Sequence, residues 1–89
     1  MRNLELTSKQ RKKFYEECST FDDSMSFEEY SERIRDYIFL VNHYDEDNEN
    51  YTIERADAIV TVKASEIKTL FKEKEPVGYA VSEVEYFCG

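Results

Sequence analysis

The hydrophobic and polar positions of the chain follow a helical period most clearly after Ser26. Apolar residues recur there three and four positions apart, at Phe27, Tyr30, Ile34, Tyr37, Ile38 and Val41. This spacing matches the turn of an α-helix and predicts an amphipathic helix, which Ser26 and Glu29 would cap. The apolar run Tyr37–Val41 also has strand character, so the pattern leaves open whether the helix continues through it. We expect this helix to be the structural centre of the domain, with Ile34 buried.

A shorter helix is predicted before it, from Ser8 to about Cys18. Thr7 and Gln10 have the spacing of a capping box, in which each side chain bonds to the backbone of the other residue. The apolar stripe of this helix is narrow and consists of Phe14, Tyr15 and Cys18. Its bases are Lys9, Arg11, Lys12 and Lys13. We therefore expect it to dock through a narrow contact and to present a basic face.

The segment that follows the second helix predicts a loop and two strands. Asp45–Asn50 is entirely polar, which is typical of an exposed loop. A short strand is predicted at Tyr51–Ile53. The β-branched residues within Ala58–Lys63 favour a second strand.

The last third of the chain predicts a short helix and then a strand. An apolar stripe is formed by Ile67, Leu70 and Phe71. It predicts a helix from Glu66 to about Lys74, which Ser65 would cap and Pro76 would end. The alternating apolar positions after it are Val77, Tyr79 and Val81. They predict a strand over Val77–Phe87, with a bulge at Ser82–Glu83, where the alternation breaks.

This order of elements predicts an α+β fold. We expect a small three- or four-stranded sheet, with the two N-terminal helices and the third short helix packed on it. The length of 89 residues allows a single compact domain, residues 1–89. An aromatic content of 15% excludes a disordered acidic tail, and two glycines with one proline exclude a low-complexity linker.

Acidic residues are concentrated in the middle of the chain. The formal net charge is −8; residues 21–60 carry −9, whereas residues 1–20 carry +2 and residues 61–89 carry −1. Nucleic acid and anionic membrane surfaces repel a chain this acidic, so we expect it to bind neither directly, despite the bases of the first helix. The asymmetry can instead mark a surface for a protein with a basic cleft.

The sequence lacks the usual motifs for catalysis and cofactor binding. Two glycines cannot supply a phosphate-binding G-x-G-x-x-G loop. No motif around His43 or either cysteine indicates a nucleophile with its base. Three acids of the polar loop match positions of a calcium-binding EF-hand, but Asn50 stands where glycine is needed and Ala56 where the bidentate glutamate is needed. We therefore predict no enzyme activity, no metal and no cofactor.

The two cysteines favour a reducing compartment. Cys18 and Cys88 are 70 positions apart, and one potential pair is few for a small secreted domain. The N-terminal residues lack the apolar run of a secretory signal peptide, and the longest apolar stretch, Tyr37–Val41, is too short to cross a bilayer. We expect a cytoplasmic protein.

A row of carboxylates is predicted along the second helix. Glu28, Glu32 and Asp36 are four positions apart and would line one exposed face. Other acidic residues extend this surface at both ends: Asp22, Asp23, Asp45, Glu46, Asp47 and Glu49. Such a surface can occupy a cleft built for DNA or RNA. The first hypothesis is therefore an acidic inhibitor of a basic nucleic-acid-handling protein. Small phage proteins directed against restriction or CRISPR effectors are analogous in size and charge, with no residue match.

A second hypothesis requires no mimicry of nucleic acid. The chain would be a small regulatory or immunity-type interaction module that binds an ordinary protein surface through aromatic anchors. The candidate anchors are Tyr44, Tyr51, Tyr86 and Phe87. Charge reversal on the acidic row separates the hypotheses, because only the first makes binding depend on that row.

Overall fold

The computed structural model describes residues 4–86, which form five α-helices joined by turns and loops. The helices are α1 Ser8–Glu17, α2 Phe27–Leu40, α3 Ile53–Val62, α4 Ala64–Lys72 and α5 Val77–Tyr86. A π-helical turn, Val41–Asp45, continues directly from α2. No β-strand occurs between residues 4 and 86, so the predicted α+β fold with its three- or four-stranded sheet is wrong.

Helix α2 is the element against which the others pack. The Ser26 hydroxyl accepts a hydrogen bond of 3.1 Å from the backbone N–H of Glu29, which satisfies one of the free donors at the helix start. Ile34 and Ile38 are completely buried, and α3, α4 and α5 all contact this helix. The predicted central role of α2 is therefore confirmed, and its apolar end is helix rather than strand.

Helix α1 forms as predicted and packs against the rest of the domain through few contacts. The Thr7 hydroxyl accepts from the Gln10 N–H at 3.1 Å, while the Gln10 side chain accepts from the Thr7 N–H at 2.8 Å, so the capping box is complete. None of its ten residues is buried. The Tyr15 ring contacts the Tyr37 ring of α2, and the carbonyl of Cys18 accepts a hydrogen bond from the Gly78 N–H. These contacts place the helix beside α2 and leave Lys9, Lys12 and Lys13 in solvent.

Helix α3 occupies the segment for which two strands were predicted. The Thr52 hydroxyl accepts from the Arg55 N–H at 3.2 Å and caps the helix. Ala56 is completely buried, and Ile59 and Val60 pack against the core, which gives the spacing i, i+3, i+4. Val62 is 77% exposed, as its position on the outer face requires. The weak preference of β-branched residues for strands is overridden here by this capped, one-sided helical pattern.

Helix α4 carries the apolar stripe that was predicted for it. Ile67 is completely buried, and Leu70 and Phe71 pack against the core. The helix starts two residues earlier than expected. Lys63, not Ser65, stands at its N-cap position and provides no side-chain cap, so the predicted cap is wrong.

Helix α5 replaces the predicted final strand and its bulge. Its buried residues are Val77, Ala80, Val81 and Val84, all at most 5% exposed. They follow i, i+3, i+4 and i+7, whereas Tyr79, which the strand would have placed beside them, is 48% exposed. The Pro76 carbonyl accepts from the Ala80 N–H at 3.0 Å, so this proline precedes a helix, a position that suits a residue without a backbone donor. Phe87 lies outside the described residues.

Aromatic rings close the core at the N-terminal half of α2. Phe21, Phe27, Tyr30 and Phe71 make ring contacts with centroid separations of 5.2 to 5.9 Å. The Tyr30 hydroxyl donates a 2.7 Å hydrogen bond to the Glu75 carbonyl and so fixes the turn between α4 and α5. The C-terminal half of α2, at the other end of the domain, borders the groove described below.

Candidate functional site

The acidic residues that precede α2 and begin it lie on the surface as predicted. Asp22 accepts hydrogen bonds from the Ser24 hydroxyl and backbone N–H, and these bonds hold the pKa of its carboxyl below the ordinary value. Asp23 lies 3.2 Å from the Lys74 ammonium. Glu28 and Glu32 are exposed on successive turns of the helix, with Cβ atoms roughly 6 Å apart.

Asp36 does not belong to this surface. The prediction that it is exposed is wrong, because it is only 1% exposed. Four residues advance an α-helix by slightly more than one turn, so a row that starts at Glu28 has rotated by roughly 80° when it reaches Asp36. Helices α3 and α5 also pack against α2. The Arg35 guanidinium donates to the Asp36 carboxylate at 3.1 and 3.2 Å, which gives the buried charge a cationic partner.

Asp45 is committed to contacts within the chain. Its carboxylate accepts a 2.5 Å hydrogen bond from the Tyr15 hydroxyl and lies 3.6 Å from Nε of Arg11. Burial, together with this hydrogen bond, raises the pKa of Tyr15 above its ordinary value. The Arg11 guanidinium in turn stacks on the Tyr44 ring at 4.5 Å. This cluster joins α1 to the π-helical turn. Arg11 and Asp45 are therefore engaged in contacts that stabilise the fold.

The rest of the polar loop is exposed as predicted. Glu46, Asp47 and Glu49 all point to the surface, and Asp47 takes the left-handed backbone conformation, with φ at 55°. Asp45 and Glu49 diverge, since the first faces α1 and the second lines a groove on the α3 side. Within residues 4–86, no group of three or more potential ligands is arranged to hold a metal ion.

A groove of about 830 Å³ lies between the C-terminal half of α2 and the start of α3. Helix α2 contributes Glu32, Arg35 and Phe39. Glu49 of the loop and Ile53 of α3 line the facing side. This volume falls within the range of ordinary ligand pockets, and its walls combine apolar surface with a few charged groups, as binding sites do.

The π-helical turn builds the aromatic wall of this groove. His43 stacks on Phe39, with ring centroids 4.9 Å apart and planes inclined by 19°. Nδ1 of His43 lies 3.1 Å from the Tyr51 carbonyl oxygen. A carbonyl only accepts, so Nδ1 is the donor, and in the neutral ring Nε2 is then an acceptor. Such π-helical insertions often occur at functional sites, and this one places the His43 ring over Phe39.

The charges around the groove are predominantly negative. Arg35 is the cation among its lining residues, and its guanidinium lies 3.1 Å from Asp36 and 4.0 Å from Asp57 of α3. Glu32 and Glu49 are the acids among the lining residues, so the charged residues that line the groove sum to a formal charge of −1. The groove was not predicted from the sequence, although Phe39 and His43 have the i, i+4 spacing that allows such a stack on a continuous helix.

A second, smaller depression of about 550 Å³ runs along the exposed face of α1. Lys9, Lys12 and Lys13 line it together with Gln10 and Glu16. The basic face predicted for this helix is therefore present, except that Arg11 turns inwards. Four of the twelve bases of the chain therefore lie on α1, whereas α2 itself carries Arg33 and Arg35.

The proposed aromatic anchors are engaged within the fold where they are described. Tyr51 is 7% exposed and belongs to the core, with the Arg55 guanidinium 5.0 Å from its ring. Tyr44 contacts Arg11 and the His43 ring. The Tyr86 side chain and Phe87 lie outside the described residues.

The cysteine in the described part of the chain is inaccessible. Cys18 is 1% exposed, and burial raises the pKa of its thiol to about 12. A thiol in this state is neither a nucleophile nor a metal ligand at neutral pH. Cys88 lies outside the described residues. Among residues 4–86, none of the helices has the length and apolar character needed to span a lipid bilayer.

Comparison of the chain with protein-family models, with curated proteins and with solved structures finds no match.

Proposed function

We propose that this chain is an acidic inhibitor that binds a protein with a basic, nucleic-acid-handling cleft and occupies that cleft. The observation that carries the proposal is the placement of carboxylates on α2 and around it. Glu28 and Glu32 are exposed one turn apart on the most firmly anchored helix of the domain, and Glu49 lines the groove that Glu32 also lines. A rigid helix presents such charges without the loss of freedom that mobile loops incur on binding.

The surface we assign to this function is smaller than the row predicted from the sequence. Asp36 is buried beside Arg35, and Asp45 is held by Tyr15 and Arg11. The remaining residues, which we call the acidic surface, are Asp22, Asp23, Glu28, Glu32, Glu46, Asp47 and Glu49. Lys9, Lys12 and Lys13 line the exposed face of α1, whereas α2 carries four acids against the two bases Arg33 and Arg35. A negative patch of this kind attracts a positive cleft and accelerates encounter with it.

The proposal places the chain and its partner in the cytoplasm and assigns no catalytic step and no cofactor. The partner would be a protein whose own ligand is DNA or RNA, and the inhibitor would exclude that ligand. Direct binding of nucleic acid by this chain is not part of the proposal, since the net charge of −8 opposes it.

A matched pair of double variants tests this proposal. The partner is first recovered from the native host with the tagged chain and identified by mass spectrometry. Glu28→Lys with Glu32→Lys reverses two charges of the acidic surface. Glu66→Lys with Glu73→Lys makes the same change in net charge on α4 and the turn after it.

The association rate constant with the identified partner is then measured for both double variants at physiological salt. We expect the α2 variant to associate about tenfold more slowly and the control to stay within about twofold of the wild type, because nearby charges set the encounter rate. Melting temperatures show whether each variant is folded. Equal association of the two double variants would refute the acidic-inhibitor proposal.

A second candidate function has one observation in its favour. The groove with the Phe39–His43 wall offers apolar contact that mimicry of nucleic acid does not require. A regulatory interaction module would use this groove alone and would leave the nucleic-acid cleft of its partner open. Competition between the chain and nucleic acid for the partner distinguishes the two functions.

A further inference from the structure

We propose that the groove between α2 and α3 receives an arginine or lysine side chain, with a neighbouring apolar residue, from a segment of the partner protein. This inference rests on the proposed function, since it names the chemistry that the partner would present. It adds a specific subsite to the acidic surface, which by itself attracts a basic partner but does not bind any particular side chain of that partner.

The shape of the groove fits a long side chain with an aliphatic stem. Phe39 and Ile53 stand on its two sides, and Leu4 contributes further apolar surface. The stems of arginine and lysine pack along such surfaces while their charged ends remain near water or acidic groups. The groove is open rather than enclosed and holds about 830 Å³, which leaves room for an apolar neighbour of the cation.

The charge of the groove selects a cation over an anion. Glu32 and Glu49 both line it, and Arg35 is the base among its lining residues, so these residues carry a formal charge of −1. Arg35 does not make the groove a phosphate site, because its guanidinium already lies 3.1 Å from one carboxylate and 4.0 Å from another. An incoming anion would have to displace these contacts and approach two further carboxylates.

The stacked rings add a feature that favours guanidinium or ammonium groups. Aromatic faces attract cations, most strongly where water is partly excluded. Nδ1 of His43 lies 3.1 Å from the Tyr51 carbonyl oxygen and donates to it, so that in the neutral ring Nε2 can accept a hydrogen bond from a donor. Arginine carries five such donors in a planar group, which makes it the better fit of the two cations.

The test uses the full chain and three short peptides. The first is acetyl-Gly-Leu-Arg-Leu-Gly-amide. In the second, citrulline replaces arginine and keeps the shape without the charge. In the third, glutamate replaces it. Each peptide is titrated into the ¹⁵N-labelled protein, and amide chemical shifts report both the site and the affinity.

We expect the arginine peptide to shift the amides of Phe39, His43, Glu49 and Ile53 and to bind at least about fivefold more tightly than the citrulline peptide. The glutamate peptide should cause no saturable shift. Glu49→Gln should weaken the arginine peptide about threefold and leave the citrulline peptide unchanged. Glu73→Gln, which makes the same change far from the groove, should alter neither.

Three results would overturn this inference. One is equal affinity for the arginine and citrulline peptides. Another is a set of shifts that map outside the groove. The third is a concentration-dependent shift of the groove amides and of Lys9, Lys12 and Lys13 in the protein alone, which would make a second copy of this chain the occupant.

The result of this test can be distinguished from the result of the test of the proposed function. The peptide titrations need no partner, whereas the test of the proposed function uses the Glu28 and Glu32 double variant with the identified partner. If that double variant weakens partner binding while Glu49→Gln and the peptides show no effect, the acidic inhibitor stands and the cation subsite is wrong. If the peptides bind in the groove but charge reversal on α2 leaves partner binding unchanged, the acidic inhibitor is wrong and the groove binds cations in another context.

Discussion

The replacement Ile34→Ala tests the packing of α2 at its most enclosed point. Ile34 is completely buried at the centre of the helix that α3, α4 and α5 contact. The change removes three carbon atoms, and at about 0.8 kcal/mol for each buried carbon this loses roughly 2.4 kcal/mol of transfer free energy. The cavity left behind adds to this loss, so we expect a total destabilisation of about 3–4 kcal/mol, within the range of roughly 2–5 kcal/mol known for such changes.

This magnitude is large for a chain of 89 residues. At about 0.05–0.15 kcal/mol per residue, its free energy of unfolding is roughly 4–13 kcal/mol. A loss of 1 kcal/mol lowers the melting temperature of a domain this small by about 4–8 °C, so Ile34→Ala should melt more than about 10 °C below the wild type. Circular dichroism at 222 nm, recorded against temperature and against urea, measures both quantities.

Val62→Ala is the matched control, because it also shortens a branched side chain within a helix. Val62 is 77% exposed, so its replacement should change the free energy of unfolding by no more than about 0.5 kcal/mol. If Ile34→Ala melts within about 2 °C of this control, Ile34 does not face the core and the register of α2 is wrong.

Three further predictions follow from buried or half-buried polar groups. Asp36→Ala removes the buried partner of a guanidinium and should destabilise the protein by about 1–3 kcal/mol in urea titrations, whereas Glu32→Ala should stay within about 0.5 kcal/mol; equal effects would mean that Asp36 is exposed. In a Cys88→Ser background, iodoacetamide at pH 8 should alkylate Cys18 about a hundredfold more slowly in the native protein than in urea, because only an exposed thiolate reacts; rapid native labelling would contradict its burial. Burial raises the pKa of Glu85 above its ordinary value of 4.5. Between the ordinary pKa and the raised pKa, the folded chain therefore binds more protons than the unfolded chain. The protein loses stability as the pH rises through this range. Glu85→Gln should therefore raise the melting temperature at pH 7 and not at pH 4, and an equal gain at both values would contradict this assignment.

Local signals were sufficient to predict α1, α2 and α4. Thr7 and Ser26 satisfy backbone donors at helix starts, a chemistry that depends on residues three positions away. The stripe that begins at Ile67 has helical spacing over a short distance and needs no distant partner to define its face. For α1 and α2 the sequence contains both a pattern and a boundary, whereas for α4 it contains the pattern alone.

Helices α3 and α5 were predicted as strands because the type of residue was weighed above its spacing. Valine and isoleucine are common in strands, but that preference depends on the surroundings and is worth little in a short segment. Buried Ala80 is the decisive position in α5, since counting it as apolar completes the series from Val77 through Val81 to Val84. The helical spacing was present in the sequence, but it becomes complete only when alanine is counted as an apolar residue.

The candidate site was predictable only in part. Exposure of Glu28 follows from the periodicity of α2 alone. Burial of Asp36 depends on how the other helices pack against α2, and no local pattern specifies this packing. The groove depends on the π-helical turn that brings His43 over Phe39 and on the loop that returns Tyr51 to the His43 ring. These are long-range consequences of the fold.

The central claim is that this chain occupies the nucleic-acid cleft of its partner, and a competition experiment tests it most directly. The identified partner is first bound to a fluorescent oligonucleotide that it recognises, and the unlabelled chain is then added while fluorescence anisotropy is recorded. We predict complete displacement of the oligonucleotide, with an apparent affinity that weakens as salt rises and as Glu28 and Glu32 are reversed to lysine. If the partner binds the chain and the oligonucleotide at the same time, with no loss of anisotropy, the claim is contradicted.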